Sequence, residues 1–461
     1  MKMLLVKAIV IGIGGLLCGS ALAAELTLDD CIDLALKNRY SIIAARGNES
    51  VAKAGRTAAL GAFLPRVSAS YDCSMTKRRD GKAEQDIFTR RDTIWVSQTN
   101  GDSLAFTFGS EPVKTESSFP DQDLTNKSLS LSASMDLFDL SNFLNYAAVN
   151  ADKVKAHLDV IASEQDLILS VKVSYYAYLA AFENVDVQRD AVERSKEQLK
   201  LIESRFELGS AAKTDVLKQK VQVGNDRLAL LSAENAATTT KADLAFTIGL
   251  DPNHEIEFQT AHTPRQYDGT LDEAVDFGLT HKPSLLSSEK SADASKHRLR
   301  GAKSSYLPTL GGFGRMTWSD GTQGDTVTYN SSSRSLTYGI GVSWNIFDGF
   351  FREYQLSQAK VARNNSLAWL SESRNLVALS VKTAYLDIDK TRTQQQLAQE
   401  NVDAATEDLK ITQEKYDLGA ATILDLLNAQ VSLKTAQVSL IRAGFDHNLA
   451  IARLENAMGK M

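Results

Sequence analysis

Cysteine, proline and long apolar runs are all scarce in this chain of 461 residues. Its 3 cysteines, one of them Cys18 near the N-terminus, make neither a disulfide framework nor a zinc site. Its 7 prolines leave room for long uninterrupted helices. After the first part of the chain, which is described below as a signal peptide, no apolar run reaches the ~18 residues that a membrane-spanning helix needs. A helical membrane protein is therefore excluded.

The sequence also lacks the usual signs of chemistry. Its formal net charge of −6 provides no basic footprint for binding nucleic acid. The 6 histidines form no HExxH motif or other metal-binding spacing. No serine stands in a nucleophile elbow, and no carboxylates pair across an apparent cleft. We therefore expect no enzyme activity, no metal and no cofactor.

The N-terminus has the form of a secretory signal peptide. Lys2 and Lys7 precede a short apolar stretch, and Ala21-Leu22-Ala23 forms an A-x-A end. This pattern predicts a signal peptide over residues 1–23, removed after Ala23, and hence an exported protein.

The rest of the chain is an internal duplication. Thr27-Leu28-Asp29 returns as Thr270-Leu271-Asp272, and Leu64-Pro65 returns as Leu307-Pro308. Further along, the segment from Phe206 to Leu217 matches that from Tyr416 to Leu427 with five identities. Tandem matches of this kind indicate two copies of one structural unit.

The boundaries follow from these matches. We expect a first repeat over 24–250, a linker over 251–268 and a second repeat over 269–461. The spacing between matched segments shortens along the chain, so the first repeat carries about 34 extra residues between Pro65 and Leu137.

Each repeat is predicted to contain two strands, because apolar residues alternate with serine, glycine and other small polar residues. The strands lie at about 66–76, 128–138, 309–319 and 335–347. Such segments are typical of a transmembrane barrel, although a soluble sandwich with one wet face has the same period. Four strands cannot close a barrel, since the smallest have about eight, so several chains must contribute.

Each repeat also contains two long helices that form a hairpin. They are predicted at about 141–208, 212–248, 349–418 and 421–457. The first would span roughly 100 Å at 1.5 Å per residue. Leu208-Gly209 and Leu418-Gly419 supply the left-handed residue that ends a helix, so each hairpin has a tip at its glycine.

These features together resemble the TolC-type outer membrane efflux family. The most specific signs are the paired tips, with Arg205 to Ser210 followed by Asp215, and Lys415 to Ala420 followed by Asp425. The resemblance implies an α+β, tandem-duplicated outer membrane channel protomer. Three copies would form a 12-stranded β-barrel in the outer membrane lipid, and their helical hairpins would form a periplasmic α-barrel. It also implies two further partners, a periplasmic adaptor (membrane fusion) protein and an inner-membrane transporter.

The resemblance carries over two sets of site residues. The adaptor would dock at the tips, at Arg205, Leu208, Gly209, Ser210, Lys415, Leu418, Gly419 and Ala420. The alternative is that both tip glycines serve only the turn. The periplasmic gate would include Asp425, Asn428, Asp215 and Tyr416.

The gate departs from the family pattern in two places. Asn428 replaces a second aspartate, and Ala421 stands where an arginine would complete a lock with Asp215 and Tyr416. Three copies of Asp425 would form an acidic ring with a raised pKa. The alternative is that Asp425 only favours the helix N-terminus.

The function that follows is a passive exit duct for efflux or for type I protein secretion. The alternative from another class is a structural stalk that spans the periplasm and has a sealed barrel. The small polar residues of the strands argue against a sealed lumen.

Overall fold

Four helices of 35 to 68 residues account for much of the chain. The computed structural model describes residues 25–78, 81–88, 112–119, 122–253, 257–260, 266–323 and 329–461. The expected signal peptide lies outside these residues.

In both repeats, two short helices precede the strands and two long helices follow them. The helices are α1 (Leu28–Asn38), α2 (Tyr40–Gly61), α3 (Leu140–Glu207), α4 (Lys213–Thr247), α5 (Leu271–His281), α6 (Pro283–Ser304), α7 (Phe351–Asp417) and α8 (Ile423–Met458). The strands are β1 (Arg66–Arg78), β2 (Gly81–Phe88), β3 (Pro112–Phe119), β4 (Gln122–Phe138), β5 (Thr309–Gln323) and β6 (Tyr329–Ser343).

The duplication is visible in the short helices. Helices α1 and α5 both have 11 residues, and α2 and α6 both have 22. A capping box begins α1 at Thr27 with Asp30, and another begins α5 at Thr270 with Glu273. The reciprocal bonds of a capping box satisfy two backbone N–H groups that a helix start leaves unpaired. The same local signal therefore starts both repeats.

The chain divides into two compact units. The helical unit comprises the described residues of 25–56, 147–297 and 358–461. Two of its buried clusters lie mainly in one repeat each, around Val171, Leu179 and Leu244 in the first and around Val381 and Leu454 in the second. Amphipathic helices are stabilised mainly by this kind of burial.

The second unit comprises the described residues of 57–146 and 298–357 and contains a four-stranded antiparallel sheet. Its strand order is β1-β4-β5-β6, so the two repeats meet where β4 pairs with β5. Strands β1 and β6 are the edges. Because successive side chains point to opposite faces, the alternating sequence makes one face apolar and the other polar.

No described residue covers the apolar face of the sheet along β6. Along β6, Leu336, Tyr338, Ile340 and Val342 are all exposed. On the polar face, hydroxyl groups pair between strands, with an Oγ–Oγ distance of 2.8 Å both for Ser68 with Ser132 and for Ser70 with Ser130.

The strands end at different residues from those expected. Strand β4 begins at Gln122, earlier than about 128, because its pairing with β1 continues to Gln122 and its pairing with β5 to Leu124. Strand β6 ends at Ser343, before the expected 347. Arg352 explains this end, since its guanidinium donates to the carbonyl oxygens of Asn345 and Ile346, both at 2.8 Å.

The extra residues of the first repeat include β2 and β3, which form a separate two-stranded sheet. Within the described ranges, no helix is both long enough and apolar enough to cross a membrane.

Candidate gate and docking tips

The two hairpin tips have the same backbone geometry. Gly209 and Gly419 both have a φ of 76°. At the first tip, the N–H of Gly209 donates to the Phe206 carbonyl at 3.0 Å, and that of Ser210 donates to the Arg205 carbonyl at 2.8 Å. The second tip repeats both bonds with equal lengths, from Gly419 to Tyr416 and from Ala420 to Lys415. Each descending helix therefore ends in a Schellman motif, which needs a left-handed residue.

A leucine projects from each tip. Leu208 is 84% exposed and Leu418 is 85% exposed. Neither side chain is needed for the turn, because the glycine that follows supplies the left-handed geometry. Exposed leucines at equivalent tips form an apolar surface that the single chain leaves uncovered.

The ascending helices begin differently. Thr422 caps α8, and the carboxylate of Asp425 accepts from the Thr422 backbone N–H at 2.9 Å and from its hydroxyl at 2.7 Å. Helix α4 has Ala212 at its N-cap and no side-chain cap. Asp215 occupies in α4 the position that Asp425 occupies in α8. Equivalent aspartates thus have different surroundings.

Asp425 and Asn428 lie on the exposed side of α8, one turn apart. The hydrogen bonds from Thr422 lower the pKa of Asp425 below its ordinary value. In the single chain this carboxyl is therefore held in its charged form. Mutual repulsion within a ring of three Asp425 carboxylates would instead raise this pKa.

Tyr416 lies in a cluster shared by the two hairpins. It is buried with Ile202 and Val216 of the first repeat and with Ile423 and Leu426 of the second. Burial, followed by the charge of Asp215, raises the pKa of Tyr416. Packing of the tyrosine ring therefore contributes to the contact between the hairpins.

Arg205 makes an ionic contact between the hairpins near their tips. Its Nη2 lies 2.8 Å from Oδ1 of Asp417, and its guanidinium carbon lies 5.5 Å from the centre of the Tyr416 ring. At the position where the resemblance expected an arginine, Ala421 packs against the tip cluster. The chain therefore carries an arginine next to Tyr416, but it comes from the first repeat.

A second ionic contact lies further from the tips, between α4 and α8. Lys434 Nζ lies 2.9 Å from Oδ1 of Asp226, and the Asp226 side chain is only 4% exposed. Gln222 also donates to both oxygens of that carboxylate, at 3.1 Å each. Sequence reasoning missed this pair and the Arg205–Asp417 pair, since each joins residues more than 200 positions apart and no local pattern marks which of them meet.

Lys415 and Ala420 are exposed at the second tip, as Ser210 is at the first. Over the described part of the chain, no group of three or more His, Cys, Asp or Glu side chains is placed to hold a metal ion. The arrangement at the tips offers contacts and charge, with no constellation for catalysis.

An amphipathic sheet with open edges, joined in sequence to two long helical hairpins with matched tips, defines a channel-forming outer membrane protein. The model of the outer membrane efflux protein family matches residues 31–250 and 278–460. The chain therefore belongs to this family, whose members are non-enzymatic transport channels of the outer membrane. The resemblance inferred from the tips is confirmed.

Characterised relatives match most of the chain. The outer membrane efflux protein BepC of Brucella suis is 22% identical over 99% of this chain and 90% of its own length. The alkaline protease secretion protein AprF of Pseudomonas aeruginosa is 24% identical over 94% of this chain and 84% of its own length.

Solved structures share the fold. The CmeC outer membrane channel of Campylobacter jejuni superposes with a TM-score of 0.74 at 18% identity, over 94% of this chain and 85% of that one. VceC of Vibrio cholerae gives a TM-score of 0.71 at 18% identity, over 94% and 96% of the two chains. The expected α+β channel protomer is thereby confirmed.

Proposed function

We propose that three copies of this chain form the outer membrane exit duct of a tripartite export system. The duct docks on a periplasmic adaptor protein, and an inner-membrane transporter supplies the energy. The observation that carries the proposal is the four-stranded amphipathic sheet, in which β1 and β6 each have one side unpaired among the described residues.

The edge strands support closure into a barrel. Strand β1 has 13 residues and β6 has 15, which suits pairing of β6 with β1 of the next copy. Unpaired edge strands are otherwise a liability for aggregation. Three such sheets make a barrel of twelve strands, with the apolar face towards lipid and the hydroxyl-rich face towards a water-filled lumen.

The helices support association of the same copies. One stripe of α4 exposes Leu217, Val221, Leu228 and Leu231, and one stripe of α7 exposes Leu376, Leu379, Leu386 and Leu397. Apolar stripes of this length are typical of helix–helix interfaces. In the assembly, α4 of one copy would cover α7 of the next.

The tips are the docking surface for the adaptor in this proposal. Leu208 and Leu418 are the apolar contacts, and Arg205, Gly209, Ser210, Lys415, Gly419 and Ala420 surround them. Replacing both leucines by serine should abolish capture of the adaptor in cross-linking experiments while leaving the oligomer intact. Capture equal to that of the unchanged protein would contradict docking at the leucines.

The gate is proposed to lie near the tips, where Asp425 and Asn428 of three copies would face the axis. Asp425→Asn removes the charge but keeps an acceptor for Thr422, so the cap survives. It should raise the conductance and weaken cation selectivity. Asp215→Asn is the matched control and should act only through the tip packing. Equal small effects of both changes would contradict the acidic ring. Asp425 would then only stabilise the N-terminus of its helix.

The experiment that tests the duct is single-channel recording of the purified oligomer in a planar bilayer, after its mass in detergent shows three copies. A small, reproducible, cation-selective conductance supports the duct. An oligomer that never conducts, even with Asp425→Asn, would contradict it and favour the stalk with a sealed lumen. Efflux and protein secretion would use the same docking tips, so the channel itself does not distinguish them. The partner captured by cross-linking decides between the two.

A further inference from the structure

Two arginines stand on the hydroxyl-rich face of the four-stranded sheet. Arg66 is the first residue of β1, opposite Ser134 of β4. Arg315 lies in β5, opposite Ser132 of β4 and Thr337 of β6. Since Ser132 and Ser134 are neighbours on one face of β4, the arginines occupy adjacent rungs of that face. From strand spacing and rise, their Cα atoms are about 12 Å apart.

The surroundings leave both guanidinium groups available. The serines nearby hydrogen-bond one another across the strands, as Ser68 does with Ser132. Phe313 lies on the same rung as Arg66. Its ring lies over Gly339 of the adjacent strand β6, as shown by the 3.2 Å that would separate the ring from a Cβ on that glycine. In the described parts of the chain, no carboxylate lies within ion-pair distance of Arg66 or Arg315.

Two acidic residues share this face on either side of the arginines. Asp72 lies two rungs beyond Arg315, about 14 Å along the strands. Asp136 lies one rung to the other side of Arg66, and its carboxylate accepts from the Asn142 amide at 3.3 Å. Physiological salt screens charges beyond about 8 Å, so Asp72 has little influence on the potential at the arginines. The nearer carboxylate, Asp136, is bonded to Asn142.

Strand order distributes the arginines evenly around a closed barrel. With β6 next to β1 of the following copy, the order becomes β1-β4-β5-β6-β1. An arginine then stands on every second strand, since β1 carries Arg66 and β5 carries Arg315. Three copies contribute six guanidinium groups to the lumen face of the barrel.

We infer that Arg66 and Arg315 of three copies form a cationic belt inside the barrel that binds anionic solutes bearing phosphate or carboxylate groups. The inference rests on the proposed trimeric duct. Guanidinium groups donate paired hydrogen bonds to such oxyanions, and a ring of them raises the local concentration of anions. The belt lies near the end of the barrel at which β1 begins, the strand that follows α2 in the chain. It favours anionic cargo at that point of the barrel.

The test is calorimetric titration of the purified detergent oligomer with inositol hexakisphosphate at low salt. The unchanged protein should bind this probe, with an affinity that falls as salt is added. Arg66→Gln and Arg315→Gln should each weaken binding about 5- to 10-fold, and the double variant at least about 30-fold. Both side chains are exposed, so the variants should remain folded oligomers of unchanged mass.

Arg334→Gln is the matched control, because Arg334 pairs with Trp318 and lies on the opposite face of the sheet. This variant should bind the probe as the unchanged protein does. No binding at low salt, or equal binding by the double variant, would overturn the belt.

Conductance separates failure of the belt from failure of the duct. An oligomer that conducts but does not bind the probe leaves the duct standing and removes the belt. A trimer that binds through both arginines but never conducts supports the belt within a sealed lumen. A protein that stays monomeric in detergent would overturn the duct and the belt together.

Discussion

The Arg205 guanidinium Nη2 lies 2.8 Å from Oδ1 of Asp417, and this ion pair joins the descending helices of the two repeats close to their tips. Gln413 also donates to that oxygen, at 3.2 Å. Arg205 thus connects the hairpins in addition to standing beside the proposed docking surface. If the duct opens at the tips, as proposed, this contact would resist separation of the hairpins.

Arg205→Ala should make the tips easier to separate. The side chains are partly exposed, so the pair should contribute about 0.2–1 kcal/mol, and opening should become up to about five times more frequent. Single-channel open probability measures this. Exchange of the two charges, Arg205→Asp with Asp417→Arg, should restore the closed state. Arg189→Ala is the control, since Arg189 pairs with Asp186 of its own helix. An equal rise in the control would contradict the contact between hairpins.

Lys434→Met should destabilise the helical unit strongly. It leaves the buried Asp226 carboxylate without its cation, at a cost of about 3–5 kcal/mol. Thermal unfolding followed by circular dichroism should show a clearly lower Tm. Asp226→Leu together with Lys434→Met should recover most of the loss, because no buried charge remains. A double variant no more stable than Lys434→Met would contradict this account.

Two glycines with nearly the same φ should tolerate alanine differently. Gly419→Ala meets no atom within 4 Å, so its cost should be the backbone strain of roughly 1–2 kcal/mol. Gly459 has a φ of 77°, and a Cβ there would lie 2.8 Å from the Cα of Lys282. Gly459→Ala should therefore lose about 1–3 kcal/mol more, as overpacking does. Denaturant unfolding compares the two, and equal losses would show that the contact with Lys282 relaxes freely.

Stability should fall below about pH 6.5 through His447. Burial, and then the charge of Arg392, lower the pKa of His447, and its Nδ1 lies 3.2 Å from the Thr391 hydroxyl. The unfolded chain therefore takes up the proton more readily than the folded one. The stability is complete above the ordinary histidine pKa and is lost as the pH falls towards the folded value.

Measurements of Tm between pH 7.5 and 5 test this expectation. His447→Gln should flatten the decline, since glutamine stays neutral and can still bond Thr391. His281→Gln replaces an exposed histidine and should keep the decline of the unchanged protein. If the decline in Tm persists unchanged in His447→Gln, other titratable groups cause it.

Local patterns in the sequence determined most of the architecture. Strict alternation of apolar and small polar residues in 129–137 predicted a strand with two unlike faces, and the absence of proline from 141–208 predicted a helix that the structure has as Leu140–Glu207. The Leu-Gly pairs at 208–209 and 418–419 predicted both tips, because a left-handed residue is a local requirement. Repetition of these signals made the duplication readable without a structure.

The tertiary structure decided which residues of the two repeats meet. Arg205 reaches Asp417, and Lys434 reaches Asp226, across more than 200 positions of sequence. It also decided that Arg66 and Arg315 share one face, because that depends on β4 pairing with β1 on one side and β5 on the other. Periodicity sets which way a side chain points from its own element, whereas strand register and helix packing set its neighbours.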